Sequence, residues 1–362
     1  MTGSAYIRSA VALSPQSTFP GEEGEIQFSD DVLLPVGEEG RYNCLHPNYK
    51  SMIKLAQLRR MSPVIRMGVA ASLLALREAG VEMPGAILTG SGLGCVRDTA
   101  RFLEQMIEND EQLLNPTAFI QSTHNTVSGQ IALQLGCTAC NLTYSQGSQS
   151  FESALLDALM CLEEGKDNIL LGGIDEVEVL SQQLMEEAGC VRKAAAAMDG
   201  ADILKGGKGF VPGEGASFFV LGAQPGEQDL ARIDGVESLG LERAGQWEQE
   251  LLAFLERHDL KMNDIDLLIG SHRGDLRDKA LENRLGDMFR HSTHLVYKHL
   301  VGEYDTASAF ACWLAARALS GQKLPDACYL NEPAGTAFRR ALIVNRGMQP
   351  GMSFILLSAT DS

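Results

Sequence analysis

The sequence predicts an α/β fold: a mostly parallel sheet with helices on both faces, built from two βα-rich halves. Three observations predict it. Short buried apolar runs alternate with amphipathic stretches of 9–17 residues. One segment, 141–171, reads as a complete strand–turn–helix–strand unit. The alternation then resumes after a turn-rich stretch near residues 222–232. Strands that alternate with helices pair in parallel and are covered on both faces.

The elements follow in order. Ala5–Leu13 is an apolar strand ended by Pro15, and residues 16–60, rich in Gly, Glu and Pro, form a long irregular region. Residues 63–79 place Val64, Met67, Ala70, Leu73 and Leu76 at helical spacing, and Gly80 stops the run. Ala86–Thr89 is a short buried strand, followed by the loop Gly90-Ser-Gly92-Leu-Gly94. Residues 99–108 and 127–135 are helices. Asn141–Tyr144 is a strand, 145–149 a tight turn, and 151–164 an amphipathic helix closed by Gly165. Ile169–Leu171 and Ala216–Leu221 are buried strands. In the second half, 247–258 and 306–319 are helical, and Ile265–Ile269 and Ser353–Leu357 are strands. The predicted division is 1–223 and 224–362.

Bulk composition narrows the function classes. The 362 residues carry 30 Lys and Arg against 47 Asp and Glu, a formal net charge of -17. An acidic chain is a poor partner for nucleic acid or anionic membrane, which need clustered cations. No apolar run reaches the roughly 18 residues of a membrane span, and the first 15 residues lack the basic and long apolar regions of a signal peptide. A cytoplasmic location is expected, with the eight cysteines reduced.

Several runs, taken in order, resemble the β-ketoacyl synthases. Asn125-Thr-Val-Ser-Gly-Gln-Ile-Ala-Leu resembles their Asn-x-x-x-Gly-Gln-Ile-Ala helix. Ser9-Ala-Val-Ala-Leu-Ser-Pro15 is similar to their first strand, and Thr89-Gly-Ser-Gly-Leu-Gly94 to their glycine loop. Lys208-Gly-Phe-Val-Pro-Gly-Glu-Gly-Ala216 and Ala315-Ala-Arg-Ala-Leu-Ser-Gly-Gln-Lys-Leu-Pro325 are similar to a strand entry and a C-terminal helix of the same family. The resemblance implies the thiolase-like fold, in five layers (α-β-α-β-α), and dimers formed around the nucleophile. It implies no cofactor and no metal.

The resemblance also implies where the chemistry would sit. The family's nucleophilic cysteine lies 23 positions after the motif asparagine, which is Ser148 here, preceded by Gly147. A side chain at a helix N-terminus meets a positive dipole and inward-pointing N–H groups, which activates a thiol and stabilises an oxyanion. The first of two catalytic histidines matches His272, with the usual HGTGT replaced by His272-Arg-Gly-Asp-Leu. The second falls in Lys298-His-Leu-Val-Gly302-Glu303, where Glu303 takes its place. The glycine turn before the last strand is replaced by Asn345-Arg-Gly-Met-Gln.

These changes oppose decarboxylative condensation. A carboxylate about 4 Å from a developing enolate costs roughly 4 kcal/mol at an effective dielectric near 20, about a thousandfold in rate. A serine hydroxyl without a base forms little alkoxide. Ser148, His272 and Glu303 could form a Ser–His–Glu triad for acyl transfer or thioester hydrolysis. Otherwise they are a relict pocket in a chain-length-factor-type subunit, partnered by an active ketosynthase (or by a second copy) and an acyl carrier protein. A weak 3-oxoacyl-ACP synthase is a third reading. Fatty acid, polyketide, aryl-polyene and flexirubin-type pathways use such proteins.

Lys298 and Glu282 read as a structural ion pair, Asn125 as pocket support, and His124 as a cap or interface residue. Thr138-Ala139-Cys140 spells the family's nucleophile motif literally, but one strand too early. Cys137-x-x-Cys140 lacks the second pair a metal site needs. His291, His294 and His299 have only loose metal spacing, and Gly90–Gly94 reads as a tight turn rather than a phosphate loop.

Overall fold

The computed structural model describes residues 4–19, 26–112, 114, 116–193, 195–333, 335 and 337–360. Its strands are β1 (Ala5–Leu13), β2 (Ala86–Gly90), β3 (Cys140–Tyr144), β4 (Ile169–Asp175), β5 (Gly215–Gly222), β6 (Ala231–Leu239), β7 (Leu267–Gly270), β8 (Thr293–Leu295), β9 (Arg340–Asn345) and β10 (Met352–Ser358). They hydrogen-bond in the order β3-β2-β4-β5-β1-β6-β10-β9-β7-β8.

That order contains a repeat. The first five strands run β3-β2-β4-β5-β1, and the last five run β8-β7-β9-β10-β6, the same order with each number raised by five. Pair directions repeat too. β2 is parallel to β3 and β4, and β7 to β8 and β9. β5 is antiparallel to β4 and β1, and β10 to β9 and β6. The two halves join where Ala5–Ile7 pair with Ile233–Ala231. The sheet is therefore mixed rather than mostly parallel. In each half the last strand returns beside its predecessor in the opposite sense, which periodicity along the chain does not reveal.

Seven helices build the layers: α1 (Pro63–Glu78), α2 (Val96–Glu108), α3 (Thr126–Leu135), α4 (Ser150–Glu163), α5 (Trp247–Arg257), α6 (Lys279–Met288) and α7 (Ala307–Leu319). α1 begins at Pro63, whose fixed φ suits a first helical position. With α3 it covers the outer face of the first half, where Val64, Met67, Val127 and Ile131 pack on Val11, Leu170 and Phe218. α5 and α6 cover the outer face of the second half through Leu251, Phe254 and Leu285. Between the halves lie α4 and α7, touching both sets of strands. α7 is buried at every one of its 13 positions. Its small residues (Ala307, Ala309, Ala311, Cys312, Ala315, Ala316) suit a helix with no solvent face. The result is the five-layered thiolase-like architecture.

Residues 26–60 carry only short helical turns, at Asp30–Val32, Tyr49–Ser51 and Leu55–Leu58, in line with the irregular reading; residues 20–25 lie outside the described ones. Among the described residues, no helix is long and apolar enough to cross a membrane.

Candidate functional site

Ser148 stands in the turn between β3 and α4. Gly147 has φ +55°, a conformation that glycine adopts without strain. Ser150 stitches the turn: its Oγ donates to Gly147 O (2.6 Å) and accepts from Gln146 N (2.9 Å). Ser148 is 3% exposed, and no hydrogen bond to its hydroxyl is present among the described residues. Two neighbours cover it. Gly347 packs so closely that an added Cβ would overlap Ser148 Cβ and lie 2.7 Å from Oγ. The Gln349 side chain occupies the space an added Cβ on Gly147 would need. The turn at 345–349 thus places a glycine against Ser148.

His272 follows β7. Its Nε2 lies 3.0 Å from Glu282 Oε2, in the first turn of α6. Glu303 sits elsewhere. Gly302 has φ +80° and approaches Gly213 so closely that neither could carry a side chain unmoved. This contact, with Glu303 N donating to Val211 O (2.8 Å) and Gly213 N to Glu303 O (3.0 Å), fixes the Glu303 backbone. Its buried carboxylate accepts from Lys298 Nζ at 2.9 and 3.0 Å and lies 3.5 Å from Arg273 Nη1. The hydrogen bonds of a Ser–His–Glu triad are not formed: His272 is engaged by Glu282, and Glu303 by two cations.

The expected Lys298–Glu282 pair gives way to two others, Lys298–Glu303 and His272–Glu282. The turn at Gly302 folds the chain back, so the carboxylate five residues on reaches Lys298 first.

Arg273 is the group that sequence reasoning missed. Its Nε donates to Asp278 Oδ2 (2.5 Å) and its Nη1 to Gly347 O (3.1 Å), and its guanidinium lies over the Phe210 ring, 5.5 Å from the centroid. Lys298 Nζ also donates to Asn345 Oδ1 (3.3 Å) and Arg346 O (3.1 Å), and Ser271 Oγ accepts from Arg346 N (3.0 Å). The turn that covers Ser148 is therefore tied down by two buried cations and a hydroxyl. The only early sign was an arginine where the resemblance calls for the small glycine of HGTGT.

The charges balance. Lys298 and Arg273 face Glu303 and Asp278. Burial pushes the Lys298 ammonium down, opposed by Glu303. For Arg273, burial works against the charge, but Glu303 and then Asp278 outweigh it and hold the guanidinium above its usual value. At about 3 Å and an effective dielectric near 20, one such pair attracts by about 5 kcal/mol before desolvation is counted. Glu303 is thus no bare charge facing the pocket. An ionised carboxylate still only accepts hydrogen bonds, so it offers an enolate oxygen nothing.

The other expected residues fall outside this cluster. Asn125 precedes α3 without a side-chain cap, and Gly94 packs against His124. Cys140 is exposed on β3 at the end of the sheet. His294 Nε2 pairs with Phe289 O and His299 Nε2 with Ala327 O. Burial pushes the His299 imidazole down to about 4. Among the described residues no group of three or more His, Cys, Asp or Glu could hold a metal.

The glycine loop cradles a carboxylate of its own chain. Asp175 Oδ1 accepts from Gly92 N (2.8 Å) and Ser91 Oγ (3.0 Å), and Oδ2 from Thr306 N and Oγ1 (both 2.8 Å). Asp305 presses on Gly92, where a Cβ would strike its carboxylate. Burial first, then Asp175 and Glu303, pushes the Asp305 carboxyl up to about 7.

Comparison with known proteins agrees with this geometry. Residues 42–196 match the family model described as Beta-ketoacyl synthase, N-terminal domain. No curated protein matches the chain. Three solved structures share its fold across 99% of this chain and all of theirs. The ishigamide ketosynthase/chain length factor has a TM-score of 0.75 at 16% identity. A β-ketoacyl synthase from Burkholderia phymatum STM815 has 0.72 at 16%. A type II PKS ketosynthase, AntDE, in complex with the acyl-carrier protein AntF and bound to the hexaketide, has 0.74 at 14%. Residues 42–196 thus match the β-ketoacyl synthase N-terminal domain, and from end to end the chain has the thiolase-like fold of solved ketosynthase structures.

Proposed function

We propose that this chain is a chain-length-factor-type subunit: a partner of an active ketosynthase in polyketide, fatty acid or related biosynthesis on an acyl carrier protein, without condensing activity of its own. One observation carries the reading. Arg273 and Lys298 hold the 345–349 turn in place, and its Gly347 packs on Ser148 where an acyl group would have to sit. The hydroxyl has no base, because His272 is turned to Glu282.

The partner surface is argued from β3, which ends the sheet on its β2-distal side and exposes Leu142 (44%). Leu133 on α3 (72% exposed) and Leu156 and Met160 on α4 (37% and 38%) are exposed on the helices that pack against β3. An open strand edge with apolar neighbours is suited to pairing with a second, similarly built chain. Exposed Cys140, at the start of β3, belongs to this surface rather than to the pocket.

Two measurements test the proposal. Incubation with an acyl thioester, followed by intact-mass analysis, should leave Ser148 unmodified. Co-expression with an active type II ketosynthase from the same genome should give a co-purifying complex, weakened by Leu142→Lys. Acylation at Ser148 would favour the acyltransferase or thioesterase reading and overturn this one.

A further inference from the structure

A second polar site lies at the other end of β9 and β10 from the 345–349 turn that packs on Ser148. Tyr6 pairs with Arg232, Arg232 with Ser358, and Ser358 with Arg340, across β1, β6, β10 and β9. Residues directly opposite one another share a face, with strands about 4.8 Å apart. A phenol, a guanidinium, a hydroxyl and a second guanidinium therefore stand in one row, about 17 Å along β9 from Asn345. All four line a cleft of about 880 Å³, with Arg339 beside them.

Three features mark the row as built for an anion. Ser358 Oγ is buried without a hydrogen-bond partner among the described residues, and such a group costs stability unless something satisfies it. Arg339 and Arg340 have no carboxylate partner there, in a chain of net charge -17 where acids are plentiful. Arg232 is held by Asp234 through Nε (2.5 Å) and bonds to Tyr6, and it makes no ion pair with a second carboxylate among the described residues. Glu227 is the one carboxylate lining the cleft among the described residues.

We propose that this cleft binds a phosphoryl-bearing small molecule, its phosphate held between Arg232 and Arg340 with Ser358 Oγ donating. Paired guanidinium groups match phosphate oxygens in the bidentate manner that arginine favours. The site is remote from Ser148 and does not depend on whether that residue is acylated.

The test is calorimetric titration of the full chain with inorganic pyrophosphate and, separately, with ADP, at matched ionic strength. Saturable binding is expected, weakened about tenfold or more by Arg340→Gln and partly kept by Arg340→Lys. Tighter binding of ADP would identify an organic phosphate as the ligand, and equal binding the phosphoryl group alone. Arg340 makes no side-chain hydrogen bond among the described residues, so unchanged melting of the variant separates lost binding from lost folding. Saturation by neither probe, or equal affinity in Arg340→Gln, would overturn the proposal.

Discussion

Replacing Lys298 with methionine tests the buried charge cluster most directly. The side chains of Lys298 and Glu303 are 1% and 0% exposed, and the ammonium donates to both Glu303 oxygens, to Asn345 and to Arg346 O. Methionine fills much of the same volume but removes every donor. Glu303 would keep only the 3.5 Å contact with Arg273, whose charge is already shared with Asp278. Breaking a buried pair by removing one partner costs about 3–5 kcal/mol, two to three and a half orders of magnitude in the folded-to-unfolded ratio. Urea unfolding followed by fluorescence should show that loss. The double variant Lys298→Met with Glu303→Gln removes the orphaned charge and should recover more than half of it, a coupling that the cycle of single and double variants measures. A single-variant loss below about 1 kcal/mol, typical of exposed pairs, would refute the reasoning, as would a double variant no better than the single.

Three more outcomes follow from the same geometry. The Asp305 carboxyl, pushed from 3.8 to about 7, binds its proton more tightly folded than unfolded. Stability therefore falls as pH rises from about 4 to about 7 and levels off above, by up to ~4 kcal/mol for this group; Asp305→Asn should flatten that slope in unfolding curves taken at pH 5 and pH 8. Gly347→Ala should cost about 1–3 kcal/mol through overlap with Ser148, and adding Ser148→Gly should restore most of it; an unaffected single variant would mean the turn is not packed on Ser148. Iodoacetamide should modify exposed Cys140 first, and a Ser148→Cys variant should gain no equally fast site by mass mapping, because Gly347 covers that position.

Legibility in the sequence follows interaction range. The turn and helix around Ser148 could be read because Gly147, Ser148 and Gly165 act locally, through a turn, a helix start and a helix stop. β6 carries an alternation, Ala231-Arg-Ile-Asp, that signals a half-buried strand, but it adjoins the turn-rich stretch near 222–232 and carries no predicted element. β9 was hidden likewise, although Leu342-Ile-Val is a strand-forming run. Arg273 could not be read at all. Its role depends on Asp278, Glu303, Phe210 and Gly347, which only the fold brings together, and a lone arginine after a histidine has the same local signature on any surface loop. The Asp175–Asp305 pair, 130 residues apart in sequence, was invisible for the same reason.

The substitutions at 273 and 303 make electrostatic sense only together. A carboxylate buried at 303 without compensation would be untenable, and the arginine that follows His272 supplies a second counter-charge beside Lys298. Reverting Glu303 to histidine alone would leave Lys298 and Arg273 facing each other without their shared anion, so Glu303→His should destabilise the chain by a few kcal/mol and confer no activity. Restoring a thiol alone fails for a different reason, since Gly347 remains pinned over it by Arg273. Acylation from a thioester is therefore expected only when Ser148→Cys, Glu303→His and Arg273→Gly are combined. Intact-mass analysis of the single, double and triple variants checks this directly. A single Ser148→Cys variant that acylates readily would show that the pocket was open all along.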